Sequence, residues 1–185
     1  QRATYQCFAP NKNFESNDHI SGEKEEERNT LVESARICRG QIQEITALNP
    51  KDFDALIIPG GFGAARNLSD WAEKGSQCKI LPDVVRVITE FHDQSKPIGA
   101  MCIAPVLVAK ILGHQEVTLT IGDDKETAAE IEKLGAIHED CEVDDYITDR
   151  AHKVVTTPAY MFDQATPAQV FSGITGLVKE VVEMS

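Results

Sequence analysis

The run Lys96-Pro-Ile-Gly-Ala-Met-Cys-Ile-Ala-Pro105 requires a strand that breaks abruptly into a helix, and few folds supply that junction. Lys96 to Met101 is short and mostly apolar, with Pro97 at its start, which suits a buried strand. Ile103 to Gly113 reads as a helix, with Pro105 in its first turn and Gly113 at its end. Cys102 occupies the bend. Ala100 and Ala104 lie two residues to either side of it, the spacing of the small residues in G-x-S-x-G, and a bend of this kind tolerates only small neighbours. The helix N-terminus behind Cys102 offers free N–H groups and positive partial charge, which favour a thiolate over a thiol. Against this stands the common role of free cysteine as a small buried hydrophobe.

A second segment weighs toward a reactive thiol. In Asp54-Ala-Leu-Ile-Ile-Pro-Gly-Gly-Phe-Gly-Ala-Ala65, the run Ala55 to Ile58 suits a fully buried parallel strand. It breaks at Pro59 into a glycine-rich turn, and Ala64 to Lys74 then looks helical. Gly60, Gly61 and Gly63 permit close backbone approach and let N–H groups point into a crevice. There is no G-x-G-x-x-G and no Lys-Ser/Thr pair, so a phosphate loop is poorly supported. By itself the turn is a tight strand–helix connection. Beside a cysteine elbow it becomes a candidate oxyanion hole.

These motifs, with Phe8-Ala-Pro10, Arg28-Asn29, Ala35-Arg36-Ile37, Asn67-Leu-Ser69 and Val154-Val-Thr-Thr-Pro-Ala-Tyr160-Met161, resemble the class I glutamine amidotransferase-like superfamily. More narrowly they resemble its ElbB-type branch, associated with lycopene biosynthesis and glyoxalase activity. The resemblance runs along almost the whole chain. It implies a flavodoxin-like, doubly wound α/β fold with helices on both faces of a mostly parallel sheet. It also implies a catalytic Cys102, an oxyanion hole from Gly60, Gly61 and Ile103, and a homodimer to which Phe62 or Trp71 contributes. Candidate pocket lining is His19, Arg28, Asn29, Phe62, Asn67, Thr157 and Pro158. Members usually begin with a further strand and helix that carry an acidic residue beside the cysteine. The expectation is therefore a single domain over residues 1–185 that lacks this segment, with its general base there.

The periodicity agrees with such a fold. Candidate strands are Tyr5–Ala9, Ile42–Leu48, Ala55–Ile58, Pro97–Met101, Val117–Ile121 and Lys153–Thr157, with a further extended segment between Glu142 and Ile147. Helical patterns fall between them at Lys24–Arg39, Pro82–Gln94, Ile103–Leu112, Lys125–Leu134 and Pro167–Met184. Strands alternating with helices imply a mostly parallel sheet covered on both faces, whose ligands bind beyond the carboxyl ends of the strands. Gly60–Gly63 and Cys102 both fall at such ends.

A net charge of −12 opposes nucleic acid or an anionic membrane as partner. No apolar run approaches the ~20 residues of a membrane-spanning helix. Five cysteines without C-x-x-C spacing point to a reducing compartment. The expected location is the cytoplasm, or the mitochondrial matrix in a eukaryote. Glu15–Asn29 is highly charged and reads as a solvated loop leading into a first helical turn. Cys7, Cys38, Cys78 and Cys141 read as ordinary packed residues, with Cys78, in a polar loop, the second exposed thiol.

An amidotransferase or cysteine peptidase needs a histidine base near its thiol. Ile103 stands where related peptidases carry that histidine, and Thr156–Tyr160 holds none; the five histidines are at 19, 92, 114, 138 and 152. His138 and Cys141 alone do not make a metal site. A cofactor-independent, metal-free glyoxalase fits better, as the resemblance also implies. In it Cys102 adds to a small dicarbonyl, glyoxal or methylglyoxal, yielding glycolate or lactate. The rival is a non-catalytic redox-sensing or regulatory protein linked to isoprenoid metabolism, in which Cys102 is the oxidised thiol.

Overall fold

The computed structural model describes residues 2–185, which divide into the units Arg2–Asn49 and Pro50–Ser185. The first unit opens with β1 (Cys7–Ala9) and continues into β2 (Asn13–Asn17) and β3 (Lys24–Asn29), an antiparallel hairpin. Asp18 shapes the hairpin turn, its carboxylate accepting from the amides of Ile20 and Ser21 at 2.7 and 2.6 Å. Asn29 then caps α1 (Thr30–Ile37), its side chain accepting from Leu31 N at 3.0 Å and Val32 N at 3.2 Å. The chain returns through β4 (Ile42–Glu44), parallel to β1 with Cys7 opposite Ile42.

Two expectations change here. The pattern predicts helix from Lys24 to Arg39, but Lys24–Asn29 is strand and only Thr30–Ile37 is helical. Glu and Lys are strong helix formers, yet here their charges decorate an exposed ladder, including a Lys24–Glu15 ion pair at 2.8 Å. The stretch read as a solvated loop is therefore mostly this hairpin. The predicted strand Ile42–Leu48 ends at Glu44, where a 3-10 turn, Ile45–Ala47, takes over.

The second unit begins with β5 (Leu56–Ile58), then α2 (Phe62–Arg66), α3 (Trp71–Lys74) and α4 (Pro82–Asp93). There follow β6 (Ile98–Met101), α5 (Pro105–Leu112), β7 (Thr118–Leu119) and α6 (Lys125–Glu132). It closes with β8 (Ile137–His138), β9 (Ile147–Asp149), β10 (Val154–Thr157) and α7 (Pro167–Met184). The main sheet has the order β5-β6-β10-β9, parallel except for the antiparallel edge strand β9, and β7 and β8 form a second parallel pair. This is the mostly parallel α/β arrangement that the strand–helix alternation predicts, with the flavodoxin-like fold that the resemblance implies.

Packing follows the pleat. Gly99 faces α7 so closely that a Cβ there would lie 2.9 Å from Leu177 Cδ2 and 3.1 Å from Val181 Cγ2. Leu177 and Val181 pack with Val155 from the neighbouring strand. Thr166 starts α7 with a reciprocal cap to Gln169. Helices α4 and α5 also pack on β6, where Ile98 and Ala100 are fully buried.

The segment 68–81 departs most from its sequence reading. A single helix from Ala64 to Lys74 gives way to α2 and α3, separated at Ser69, whose hydroxyl donates to Ala64 O and accepts from Trp71 N. Asp70 accepts from Lys79 N at 2.5 Å, and Glu130 on α6 accepts from both the amide and the hydroxyl of Ser76. These bonds fold the polar loop inward. Trp71 is buried, which removes it from a dimer surface, and Cys78 is buried rather than exposed.

At the amino ends of β6 and β10 lies a polar knot. Asp149 accepts from Thr118 N at 2.8 Å, from His152 N at 3.0 Å and meets His152 Nδ1 at 2.8 Å. Burial alone would raise its carboxyl; these hydrogen bonds outweigh burial and hold it below the usual range. His92 stacks on His152 with ring centroids 5.9 Å apart, and burial, then the His152 charge, push the His92 imidazole down.

Two stability outcomes follow. Leu177→Ala should cost about 2–5 kcal/mol by urea unfolding, whereas Phe171→Ala, on the exposed side of the same helix, should stay within about 0.5 kcal/mol. Between pH 7 and 5 the unfolded chain binds a proton at His92 that the folded chain resists. Stability should therefore fall on acidification below about 6.5, and His92→Gln should flatten that part of a Tm-against-pH curve.

Candidate active site

The carboxyl end of β6 runs directly into Cys102, which is held at φ 57° in the left-handed region. A cysteine reaches this region at a cost of about 1–2 kcal/mol, so its neighbours must fix it there. They do so from two sides. The Cys102 amide donates to Thr157 O at 3.0 Å, anchoring the bend to the end of β10. Gly60, just past β5, comes so close that a Cβ on it would stand 2.5 Å from Cys102 Cβ and 2.6 Å from Met101 O. Gly61 turns away at φ 88°, also left-handed, and leads into α2. The two glycine and cysteine segments read from the sequence as converging on one sheet edge do converge there.

Backbone donors remain for a ligand. Among the described residues the amides of Gly61 and Ile103 have no acceptor, while the Cys102 amide is already used. Ile103 precedes α5, which begins at Pro105. The predicted helix Ile103–Leu112 is thus shorter by its first two residues, and those residues form the turn that presents the Ile103 N–H.

The other flank is apolar. Cys102 is half-buried against Val143, Ala159 and Val170, with Phe162, Ala165 and Ile174 packed on the same cluster. Ala159 is itself left-handed at φ 47°. Thr157 is fully buried, its hydroxyl donating to Asp145 O at 2.7 Å, and Pro158 starts the turn that carries Ala159. Phe162 also walls a cavity of about 290 Å³ with Asp123, Asp140, Cys141 and Glu142. Phe162 is the site-flanking residue that motif reading misses; its only signal is an aromatic in the connection that follows a parallel strand's carboxyl end. A larger cavity of about 530 Å³ lies among Cys78, Lys79, Ile80, Val85, Thr89, Lys110 and Ile111 and includes no elbow residue.

The remaining predicted lining residues divide. Phe62 is 71% exposed, with the Arg66 guanidinium 5.1 Å above its ring, and Asn67 terminates α2. His19, Arg28 and Asn29 belong to the unit Arg2–Asn49, where Arg28 pairs with Glu25 at 3.2 Å and Asn29 caps α1.

Three of the histidines are engaged elsewhere in the unit Pro50–Ser185. His92 and His152 lie at the amino ends of β6 and β10, a strand length of roughly 13 Å from the elbow. His138 is buried in β8, where its Nε2 accepts from Ile121 N at 3.3 Å and burial pushes its imidazole down. Nor do its neighbours form a metal centre: among the described residues no three His, Cys, Asp or Glu side chains are grouped to hold an ion.

A cysteine elbow at the carboxyl edge of a flavodoxin-like sheet, faced by a glycine turn, defines a class I glutamine amidotransferase-like protein. Residues 41–159 match the DJ-1/PfpI family, and the chain belongs to that family. It is 44% identical to the human "Glutamine amidotransferase-like class 1 domain-containing protein 3, mitochondrial", over 99% of this chain and 72% of that protein. It is likewise 44% identical to the rat "ES1 protein homolog, mitochondrial", over 91% of this chain and 66% of that one. A crystal structure of an isoprenoid biosynthesis protein with an amidotransferase-like domain from Ehrlichia chaffeensis superposes with a TM-score of 0.88. That protein is 38% identical, and the match covers 97% of this chain and 82% of the other.

The backbone geometry predicts an unusual order of stability at position 102. Cys102→Gly should be more stable than Cys102→Ala by about 1 kcal/mol, because only glycine adopts the bend without strain. Gly60→Ala should lower stability by about 1–3 kcal/mol and change the rate at which iodoacetamide alkylates Cys102. Thermal unfolding and labelling kinetics read both.

Proposed function

We propose that the chain is a cofactor-independent glyoxalase of the ElbB type, acting on glyoxal or methylglyoxal through Cys102. The observation that carries this reading is the left-handed elbow with the unbonded amides of Gly61 and Ile103 beside it. The Cys102 thiolate adds to the aldehyde carbon and forms a hemithioacetal, whose developing oxyanion the two amides stabilise. A general base then moves the proton from that carbon to the adjacent one through an enediol, leaving a thioester. Water cleaves the thioester and releases glycolate from glyoxal, or lactate from methylglyoxal.

Membership in a family that includes glyoxalases and proteases supports a thiol enzyme. The lack of a histidine at position 103 and the distance of His92 and His152 weigh against peptidase and glutaminase chemistry. The mitochondrial names of the human and rat relatives favour a mitochondrial location over a cytoplasmic one. Among the described residues no helix is long and apolar enough to cross a membrane. A homodimer belongs to the same reading, with exposed Phe62 as a contact and buried Trp71 excluded.

The test is conversion of glyoxal to glycolate without glutathione or metal, in the chain and its Cys102→Ser variant. A kcat/KM of at least ~10⁴ M⁻¹s⁻¹ that falls by two or more orders of magnitude in the variant is expected. Equal slow turnover in both proteins would overturn the proposal in favour of a redox-sensing role.

A further inference from the structure

Away from the elbow, this acidic chain leaves two cations on one cavity. The hollow of about 530 Å³ is lined by α4, α5 and the loop that precedes α4, and its volume falls in the range of small-ligand sites. Val85 and Thr89, one turn apart on α4, form one wall, and Lys110 and Ile111 near the end of α5 form another. Lys79 and Ile80 line it from the loop, with Cys78 buried among them. These walls are fixed in place. Helix α4 packs on α5, and Ile80 forms an antiparallel bridge with Ser69. Asp70 accepts from Lys79 N at 2.5 Å and returns its own amide to Lys79 O at 3.1 Å. Lys110 donates through Nζ to Ser76 O at 2.8 Å, which uses one of its three N–H bonds.

The carboxylates on the same elements are engaged with other cations. Asp70 pairs with Lys74 at 2.5 Å, and Asp83 and Glu90 flank Arg86 at 3.6 and 3.4 Å. Glu130 pairs with Lys133 while accepting from Ser76. Among the described residues no carboxylate pairs with Lys79 or Lys110, and the Thr89 hydroxyl makes no hydrogen bond. Burial pushes the Cys78 thiol up, so it adds no negative charge to the lining. With 30 Asp and Glu against 18 Lys and Arg in the chain, an anion is opposed over most of the surface. Here it meets two unpaired ammonium groups, beside the apolar side chains of Ile80, Val85 and Ile111.

We propose that this hollow binds a small amphipathic anion, a phosphate or carboxylate head carried on a short apolar tail. The ammonium groups of Lys79 and Lys110 hold the head as point charges, and the Thr89 hydroxyl donates to it. The tail displaces water from Ile80, Val85 and Ile111. An inorganic anion lacks the tail and an alcohol lacks the charge, so neither uses both halves of the site. The hollow shares no residue with the apolar cluster around Cys102, and its ligand does not depend on what the elbow does.

The experiment uses the full chain carrying Cys102→Ser, so that the elbow thiol plays no part in the outcome. It is titrated with hexyl phosphate, hexanoate, 1-hexanol and inorganic phosphate while the carbon-13 methyl signals of Ile80, Val85 and Ile111 are followed. Hexyl phosphate or hexanoate should shift these methyls with a Kd below ~1 mM, and 1-hexanol and inorganic phosphate should bind at least about tenfold more weakly. The tighter of the two anions identifies the head. Lys79→Gln should weaken that anion about tenfold and leave 1-hexanol unchanged. Lys110→Gln should do the same, and where loss of its bond to Ser76 disturbs the loop, the exposed Lys79 decides the matter. The proposal is overturned by equal binding of 1-hexanol and the anions, by full affinity in Lys79→Gln, or by no methyl shift with either anion. It is also overturned by shifts centred on Val143, Val170 and Ile174, which would place the ligand at the elbow.

Discussion

Cys102 is held in a conformation that its own backbone resists, and the surrounding sheet is arranged to hold it there. Left alone, a residue at φ 57° would relax toward the right-handed or extended regions. It is kept in place because β6 ends between β5 and β10, so each neighbouring strand delivers one restraint. From β10 comes the carbonyl of Thr157, and from β5 the side-chain-free surface of Gly60. Neither restraint is local to the elbow. Both depend on the parallel register, in which Ile58 lies opposite Ala100 and Thr157 opposite Met101. The bend is thus a property of three strands, and strain of this kind persists only where the surroundings over-determine it.

The same register separates chemistry from structure. At the carboxyl ends of the strands the backbone leaves amides unbonded beside a thiol. At the amino ends donors are taken up within the fold, Asp149 accepting from two amides and meeting a ring nitrogen. That knot fixes the β7, β9 and β10 connections without any demand on the elbow. Four of the five histidines lie in the unit with Cys102, yet those at the amino ends stack and hydrogen-bond there instead of serving the thiol.

How much of this was legible in the sequence depended on whether the deciding contacts were short in range. The elbow and the glycine turn carry their instructions locally, in a Pro, a few small residues and apolar runs bounded by breakers. The strands β5, β6 and β10 and the helices α4 to α7 follow the same signals, whereas β8 matches no predicted strand and β9 begins where the extended segment Glu142–Ile147 is expected to end. Helix α7 matches its pattern from Pro167 to Met184 because its cap, its Pro and its apolar stripe agree. Lys24–Asn29 misleads because a charged strand exposed along its length shows no alternation, and its glutamates favour helix on propensity alone. Trp71 and Cys78 mislead for another reason. Their segment is held by Glu130, more than fifty residues away, reaching Ser76, and no local pattern encodes that contact. Phe162 approaches Cys102 through a cluster drawn from α7 and two loops, again beyond any motif.

Charge then sorts the cysteines. In a chain with a net charge of −12, carboxylates beside a thiol oppose a second negative charge there. Cys141 shows the full effect, with four acidic residues adding to burial. Cys102 is flanked by backbone amides and by an apolar cluster of Val143, Ala159, Val170 and Phe162. An apolar wall disfavours charge, whereas oriented amides favour it at one point in space. Such a site stabilises negative charge where an oxyanion would form rather than over the whole pocket, which suits addition to a small, uncharged carbonyl compound. An anionic substrate would meet the acidic cavity beside Phe162, lined by Asp123, Asp140 and Glu142, and be repelled. The chain's overall acidity is thus compatible with a neutral dicarbonyl at the elbow.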